Sequence, residues 1–297
     1  MKIIVTHVSP DLDAITAVWL IRKFLPAWDD AKVEFVSAGD RIHEKTPDKT
    51  EVIENIDGNQ VIHVDTGLGA LDHHHLATDK ESAASITFKY IKKHHPQEGP
   101  KWEIKVEAIE RMVKIVVDVD HFKEVFWSDP TADYYDFSLV GLIDGLKLEK
   151  PNDDEFYIEF GLICLDGILS EFENKIWAEK EIKQNGIEFE TRFGKGIGIE
   201  SVNDAVIKLS QKMGYVIAVR KDPRKGYVRI KARPSAGQNN DNIDLTLVYE
   251  KLQKSDPQAS WFLHVNRKML LNGSSKSSKM HPSKLSLQSI IEILKGI

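Results

Sequence analysis

Apolar residues run unbroken through Ile3-Ile4-Val5 and then return at helical spacing (Ala14, Ala17, Val18, Leu20, Ile21, Phe24, Leu25) until Pro26. The chain therefore opens as buried strand, short polar loop and helix. Further strands are expected at 32–37 and 60–65, with another near 51–53. Helical periodicity covers 82–95 and 102–117, the second through Val106, Ile109, Met112, Val113 and Val116. Strands alternating with helices predict an α/β fold with a doubly wound, mostly parallel sheet. Helices follow at 137–148 and 154–183, the latter long, amphipathic and placed to bridge two domains. Beyond Gly186 short strand-like runs (187–193, 215–220, 227–233, 261–265) alternate with helices near 202–213, 245–254 and 283–294. A smaller α/β domain over 186–297 after a first domain over 1–185 is the expected organisation.

Composition fits two ordinary globular domains: 297 residues, 41% hydrophobic and 29% charged. No apolar stretch is long enough for a membrane span, and Met1-Lys2 leads straight into a strand without a signal peptide, so the expectation is a cytoplasmic protein. The single cysteine, Cys164, has no internal disulfide partner and is expected on a buried helix face among Leu162, Ile163 and Leu165. The net charge of −6 conceals an asymmetry. Residues 201–297 hold 17 Lys/Arg against 7 Asp/Glu, whereas residues 1–200 hold 23 against 39. An acidic half suits divalent cations and a basic half suits a polyanion, although two solvated surfaces of opposite sign would look the same.

The candidate chemistry lies where the first strands end. His7, Asp11 and Asp13 follow the first strand, Asp65 closes the run 61–64, and Asp72-His73-His74-His75 comes seven residues later. Strand ends of an open α/β sheet are where such folds present ligands. Two carboxylates two apart in a loop that opens a helix can face separate ions. Taken alone, the same loop is explained by Asp13 as a helix cap and Asp11 as a turn residue. Asp65, before the tight turn Thr66-Gly67-Leu68-Gly69, is left at the sheet edge, where one carboxylate can bridge two cations. Asp72 can orient a neighbouring imidazole through its second ring nitrogen. Imidazole and carboxylate without thiolate favour Mn²⁺ or Mg²⁺, manganese first, with Co²⁺ or Zn²⁺ also feasible.

In the second half, Arg229, Lys231 and Arg233 alternate along one predicted strand, as phosphate-gripping cations or as charges protecting a sheet edge. His264, Arg267, Gly273, Ser274, Ser275 and Lys276 lead toward the helix at 283–294 and form a candidate substrate clamp near a helix start.

These residues resemble the DHH-superfamily phosphoesterases. His7-x-x-Pro10-Asp11-x-Asp13-Ala14, the strand-terminal Asp65 and Asp72-His73-His74 match the first three motifs of that family. The short gap between Asp65 and the Asp-His-His triplet, with 262–266, Asn272-Gly273 and 283–286, is most like the melanocyte-proliferating-gene branch of metal-dependent exonucleases acting on RNA. The resemblance implies a fourth motif, an aspartate after a helix. Asp120 is preferred to Asp118 because a polar residue follows it. The resemblance further implies two divalent cations, one held by His7, Asp11 and Asp65, the other by Asp13, Asp65, His73 and Asp120, with His74 facing substrate. Phosphodiester hydrolysis of RNA, DNA or short oligonucleotides is the expected activity. Hydrolysis of pyrophosphate or of a cyclic or dinucleotide phosphodiester, and a non-catalytic metal- and nucleic-acid-binding role, are the alternatives. This chain has Asn272-Gly273-Ser274-Ser275, with His281 later, where family members carry a G-G-x-H-like turn, so its substrate need not be theirs.

Overall fold

The computed structural model describes residues 1–43, 50–234, 243–273 and 279–296. The chain divides into two compact units, Met1–Glu173 and Asn174–Ile297. In the first, strand β1 (Lys2–His7), helix α1 (Leu12–Phe24) and strands β2 (Lys32–Val36), β3 (Glu54–Ile56) and β4 (Asn59–His63) precede helices α2 (Ala83–His94), α3 (Pro100–Asp120), α4 (Asp133–Asp136) and α5 (Leu139–Glu149). The sheet order is β2-β1-β4-β3, parallel throughout except for the edge strand β3. The architecture is thus α/β with a mostly parallel sheet, as the alternation of patterns implied. Strand β1 is central and its inner four residues are buried, which is why it reads as a continuous apolar run. The strand expected near 51–53 lies instead at Glu54–Ile56. It pairs with β4 through Asp57 and Gly58, both at positive φ as a two-residue hairpin requires.

Helix α1 is buried on almost every side, with only Arg22 and Lys23 of its last turn leaving the core. Such all-round burial marks a helix packed between other elements rather than over a sheet surface. One covering element is helix α6 (Asp154–Asn185), where Gly161 permits close approach: a Cβ there would stand 2.4 Å from Ile15 Cγ2. Trp19 Nε1 donates to Asp166 Oδ1 at 2.8 Å along the same seam. Cys164 does not sit on a buried face as expected. It is half-buried and Ile163 is exposed, because Gly161, Leu165 and Leu169 form the inward stripe of α6.

The boundary between units falls within α6, between Glu173 and Asn174, and not at the helix end near residue 185. The last turns of α6 belong to the second core: Ala178 and Ile182 pack with Ile197, Ile199, Val206, Ile207 and Ala218. The remaining elements are β5 (Ile187–Thr191), β6 (Gly194–Glu200), α7 (Ala205–Lys212), β7 (Ile217–Lys221), β8 (Val228–Ala232), α8 (Thr246–Ser255), β9 (Phe262–Leu263), β10 (Met269–Asn272) and α9 (Leu287–Lys295). They build a six-stranded sheet, β5-β6-β7-β8-β10-β9, in which only β6 and β7 run parallel. Strands β6 and β10 are additions to the expected set. In β6 the glycines have a packing reason: a Cβ at Gly196 would meet the ring of Phe189 at 2.4 Å, and one at Gly198 would meet Ile291 at 2.8 Å. Among the described residues no helix is long and apolar enough to cross a membrane.

Candidate metal centre

Parallel register brings the first ligands together. Val5 of β1 is level with His63 of β4, so continuing both chains by two residues sets His7 beside Asp65. His7 Nε2 lies 3.3 Å from Asp65 Oδ2. His7 Nδ1 is 2.9 Å from the Val8 carbonyl, to which it donates, so Nε2 is the ring nitrogen turned toward the carboxylates. Asp65 holds a left-handed backbone conformation (φ +54°) at the entry to a turn whose Gly67 and Leu68 also have positive φ. An aspartate tolerates this region better than a branched residue. The strain marks a site where the backbone is bent to aim one side chain.

Asp11, not Asp13, caps α1. Its Oδ1 accepts from the backbone N–H groups of Asp13 at 2.9 Å and Ala14 at 3.0 Å. Asp13 is buried and accepts from Ala83 N at 2.7 Å and Ala84 N at 2.9 Å, so it satisfies two of the orphan donors at the start of α2. Asp72 Oδ2 accepts from Leu68 N at 2.7 Å, while its Oδ1 accepts from His74 N at 3.0 Å and lies 2.7 Å from His74 Nδ1. The imidazole that Asp72 orients is therefore that of His74. His74 stacks on His73 with centroids 4.3 Å apart and leaves over half of its side chain exposed.

His73 stands at the centre. Its Nδ1 lies 3.7 Å from Asp13 Oδ2 and 3.6 Å from Asp65 Oδ1, and its Nε2 lies 3.1 Å from Asp120 Oδ2 without hydrogen-bond alignment. Asp65 Oδ1, His73 Nδ1 and Asp120 Oδ2 are all shielded from solvent and have no hydrogen-bond partner. Buried polar atoms that face one another without bonding are costly unless a further group satisfies them. Among the described residues three ligand groups emerge, each with its donor atoms within 4.8 Å of one another: His7, Asp11 and Asp65; Asp65, Asp72, His73 and His74; and His73, Asp120 and His121. Asp65 belongs to two of them, its Oδ2 toward His7 and its Oδ1 toward His73 and His74. That is the arrangement of a carboxylate serving two centres, and the oxygen and imidazole donors suit divalent cations. Among the described residues, neither Asp118, the alternative to Asp120, nor Asp13 enters these groups; Asp13 reaches the cluster through its Oδ2, 3.7 Å from His73 Nδ1.

Protonation reports the same shortage of positive charge. Burial raises Asp13 well above the usual carboxylate range, and the charges of Asp65 and Asp120 push the same way. Burial also raises Asp65, with Asp11 adding to it while the His7 hydrogen bond opposes. Burial disfavours the charged form of His7, yet Asp65, the Val8 carbonyl and Asp11 carry it up to about 9. Asp120 foremost, against burial, raises His73 to about 9. Asp72 differs: burial opposes, but hydrogen bonds from His74 and Leu68 hold its carboxyl below the ordinary range.

His121 and Glu124 are additions to the residues read from sequence. His121 Nε2 donates to the Glu81 carbonyl at 2.7 Å and lies 3.6 Å from Asp120 Oδ2. The signal for His121 was its position directly after Asp120 at the end of α3, whereas Glu124 lies on a separate short turn (Lys123–Phe126) and carried none.

The basic residues of the second unit have a different character. Arg229 is ion-paired with Asp204, which also lies 2.7 Å from Arg220 Nε. Arg267 is exposed and bonds Asp244 Oδ2 at 3.0 Å. His264 closes a turn, its Nδ1 accepting from Asn266 N at 3.3 Å. Arg233, just beyond β8, donates its backbone N–H to Val216 O at 2.9 Å. Gly273 has φ +72°, and a Cβ there would meet the Tyr227 ring at 2.3 Å. Ser274, Ser275 and Lys276 lie outside the described residues. The neighbouring Asn272 is fully buried, donating to the carbonyls of Ser260 and His281 at 2.9 Å each and accepting from Ser283 N at 2.7 Å.

No family model matches the chain, and no curated protein matches it. Among solved structures it is similar to the DHH domain of a member of the s1p family of ribosomal proteins, at 12% identity over 99% of this chain and 86% of that one, with a TM-score of 0.33. It is also similar to a pGpG-specific phosphodiesterase, PggH, from Vibrio cholerae, at 13% identity over 93% and 94% of the two chains and a TM-score of 0.33. RecJ from Thermus thermophilus, solved in complex with Mn²⁺, gives 10% identity over 99% of this chain and 52% of that one, with a TM-score of 0.27, so the chain spans about half of that protein.

Proposed function

We propose that the chain is a two-metal phosphoesterase of the DHH superfamily that hydrolyses phosphodiester bonds of short nucleic acid substrates. One observation carries the reading: Asp65 turns its two oxygens toward separate ligand groups, His7 and Asp11 on one side and His73 on the other, and Oδ1 is left without a partner. His7, Asp11 and Asp65 would hold one cation, and Asp13, Asp65, His73 and Asp120 the other, with manganese the first choice. A bound pair of such ions supplies a hydroxide at neutral pH and charge to stabilise the phosphate as negative charge grows.

The protein's own part is orientation and proton transfer. The Val8 carbonyl holds His7 in the tautomer that presents Nε2 to the cluster. The α2 N-terminus fixes Asp13 through two backbone donors, so its carboxylate is locked before substrate arrives. Asp72 takes the Nδ1–H of His74 and turns the exposed ring outward, from where Nε2, in the doubly protonated ring, can donate a proton to the leaving oxygen and is left with a lone pair. Because Arg229 and Arg267 already face carboxylates, short substrates held close to the acidic site are favoured over a long tract gripped by those cations. The test is to incubate the purified chain with Mn²⁺ and end-labelled single-stranded RNA, single-stranded DNA, dinucleotides and pyrophosphate. Manganese-dependent cleavage of dinucleotides or short strands, abolished by EDTA, is expected. Hydrolysis of none of the four would leave only a metal-binding protein.

A further inference from the structure

Two recesses meet beside the ligand cluster within the first unit. The smaller, about 250 Å³, takes in Asp11, Asp13 and Asp120. The larger, about 480 Å³, is walled by Met112, Leu165, Ile168, Trp127 and Tyr135. They share Leu12, Val116, Val119, Glu124, Val140 and Asp144, so the apolar cavity opens along the same wall as the acidic one. Its volume falls in the range of roughly 300–1,000 Å³ typical of small-ligand sites.

Of the two acidic residues common to both, Glu124 is the unusual one. Glu124 Oε2 is shielded from solvent and has no hydrogen-bond partner. Glu124 belongs to none of the ligand groups among the described residues, so the cluster does not account for it. A shielded carboxylate oxygen is costly until a donor reaches it. The larger cavity also carries Asp136 and Asp144, which repel a phosphate from its interior. Its occupant should therefore be flat or apolar, uncharged, and bear N–H donors on one edge. Trp127 and Tyr135 contribute rings 5.1 Å apart at an interplanar angle of 46°, and Tyr135 is steadied by donating its hydroxyl to the Ser128 carbonyl at 2.7 Å.

We infer that this cavity is a base subsite, seating a nucleobase against Trp127 while Glu124 accepts from the base's donor edge. The inference rests on the phosphoesterase reading for why a nucleotide would be present. Guanine fits best, because its adjacent N1–H and exocyclic amino group offer two donors to one carboxylate. Uracil offers a single N–H between two carbonyl oxygens that a carboxylate repels.

The test uses the full chain and equilibrium dialysis of labelled guanosine and labelled uridine in EDTA, so that binding is read without hydrolysis. Guanosine is expected to bind about tenfold tighter than uridine or better, the scale of a bidentate base contact. The near-isosteric Glu124→Gln should erase that preference. Trp127→Ala should weaken both nucleosides about tenfold, the scale of a lost stacking platform, with Trp127→Phe restoring most of the loss. Equal binding of the two nucleosides, or a preference unchanged in Glu124→Gln, overturns the subsite. So does a Trp127→Ala variant that dissociates a homodimer in sedimentation while guanosine binding is unaltered, since the cavity would then be a subunit contact. Loss of the subsite with manganese-dependent cleavage intact refutes this inference alone. A Glu124-dependent preference without any cleavage leaves the subsite standing and refutes the phosphoesterase reading.

Discussion

The two units use charge in opposite ways. In the first, Asp65 Oδ1, His73 Nδ1 and Asp120 Oδ2 converge from three separate segments and remain unpartnered. In the second, Arg220 and Arg229 share Asp204, and Arg267 has Asp244. Both regions look functional when only residue types are counted. The difference lies in charge balance: the arginines of the second unit each have a carboxylate within ion-pair distance, although the Nε atoms of Arg220 and Arg229 are also shielded without a hydrogen bond, whereas Asp13, Asp65 and Asp120 outnumber the one imidazole, His73, set among them and ask for positive charge that the chain does not supply. The acidic cluster is therefore the stronger site.

Asp65→Asn should have the largest effect. Asparagine adopts the left-handed backbone that Asp65 requires, so the turn at φ +54° survives and only the charge is lost. Phosphodiester cleavage should fall by roughly a thousandfold or more, as when one member of an interdependent catalytic set is removed. Metal-free thermal stability should hold or rise, because Asp65 is raised by burial and by Asp11 and its charge is a burden without cations. Steady-state kinetics and a melt in EDTA check the pair of outcomes. Wild-type turnover in this variant would remove the bridging role and with it the two-metal reading.

Next comes pH. His7 and His73 are both held near 9 in the metal-free protein, against an ordinary value of 6.5. Folded values above unfolded ones mean that their stabilisation is complete below about pH 6.5 and is lost as pH rises through about 9. A cation must displace those protons, so Mn²⁺ affinity should climb between about pH 7 and 9, by up to about tenfold per pH unit for each proton released. Calorimetry at about pH 7.5 in buffers of different ionisation enthalpy should show roughly one to two protons leaving per protein. Metal binding with no proton release would mean that the cation sits elsewhere.

How far the site could be read beforehand follows from what each residue does locally. His7 ends β1, Asp65 follows β4, Asp11 and Asp13 stand at the start of α1, and Asp72-His73-His74 follow the turn after Asp65; the strand pattern with the spacing was enough to nominate them as candidates. That Asp11 rather than Asp13 is the helix cap, and that Asp72 orients His74, depend on backbone N–H directions that no spacing encodes. Glu124 was hidden because its meaning comes from a cavity wall. In the fold, Asp57-Gly58 was a legible hairpin signal for β3, but attention to the apolar run placed that strand three residues early. Strand β6 was obscured by Gly194, Gly196 and Gly198, of which the last two are justified by the Phe189 ring and the α9 side chains lying over them. Tertiary packing supplied what propensity argued against.

Gly161 gives that packing lesson an energetic form. Alanine there would put a methyl 2.4 Å from Ile15 Cγ2, so the α1–α6 seam must open. Overpacking of this kind costs about 1–3 kcal/mol, or a melting point lower by several degrees for a unit of this size. Since Ile15 follows Asp11 and Asp13 by only a turn, cleavage should weaken along with stability. A Gly161→Ala variant that melts like wild type in a thermal scan would show that the seam is looser than described.

The smallest effect belongs to the second unit and separates structure from substrate contact there. Asp204 meets two arginines, Arg229 and the more deeply buried Arg220, whose Nη1 also donates to the Ser201 carbonyl at 2.9 Å. Arg229→Ala removes one partly exposed ion pair, worth about 0.2–1 kcal/mol on the scale of such pairs. Asp204→Ala should cost more, because it leaves the shielded Arg220 with one partner fewer. In a double-mutant cycle measured by urea unfolding, the coupling between 204 and 229 should be favourable and below about 1 kcal/mol. The decisive readout is kinetic. If Arg229 is held by Asp204 for the sake of the fold, Arg229→Ala leaves KM for a dinucleotide unchanged and Asp204→Ala does the same. If Arg229 grips substrate phosphate, KM rises in Arg229→Ala but falls in Asp204→Ala, where the guanidinium is released. The sign of that second change, more than its size, decides whether the paired cations of the second unit contribute to substrate binding.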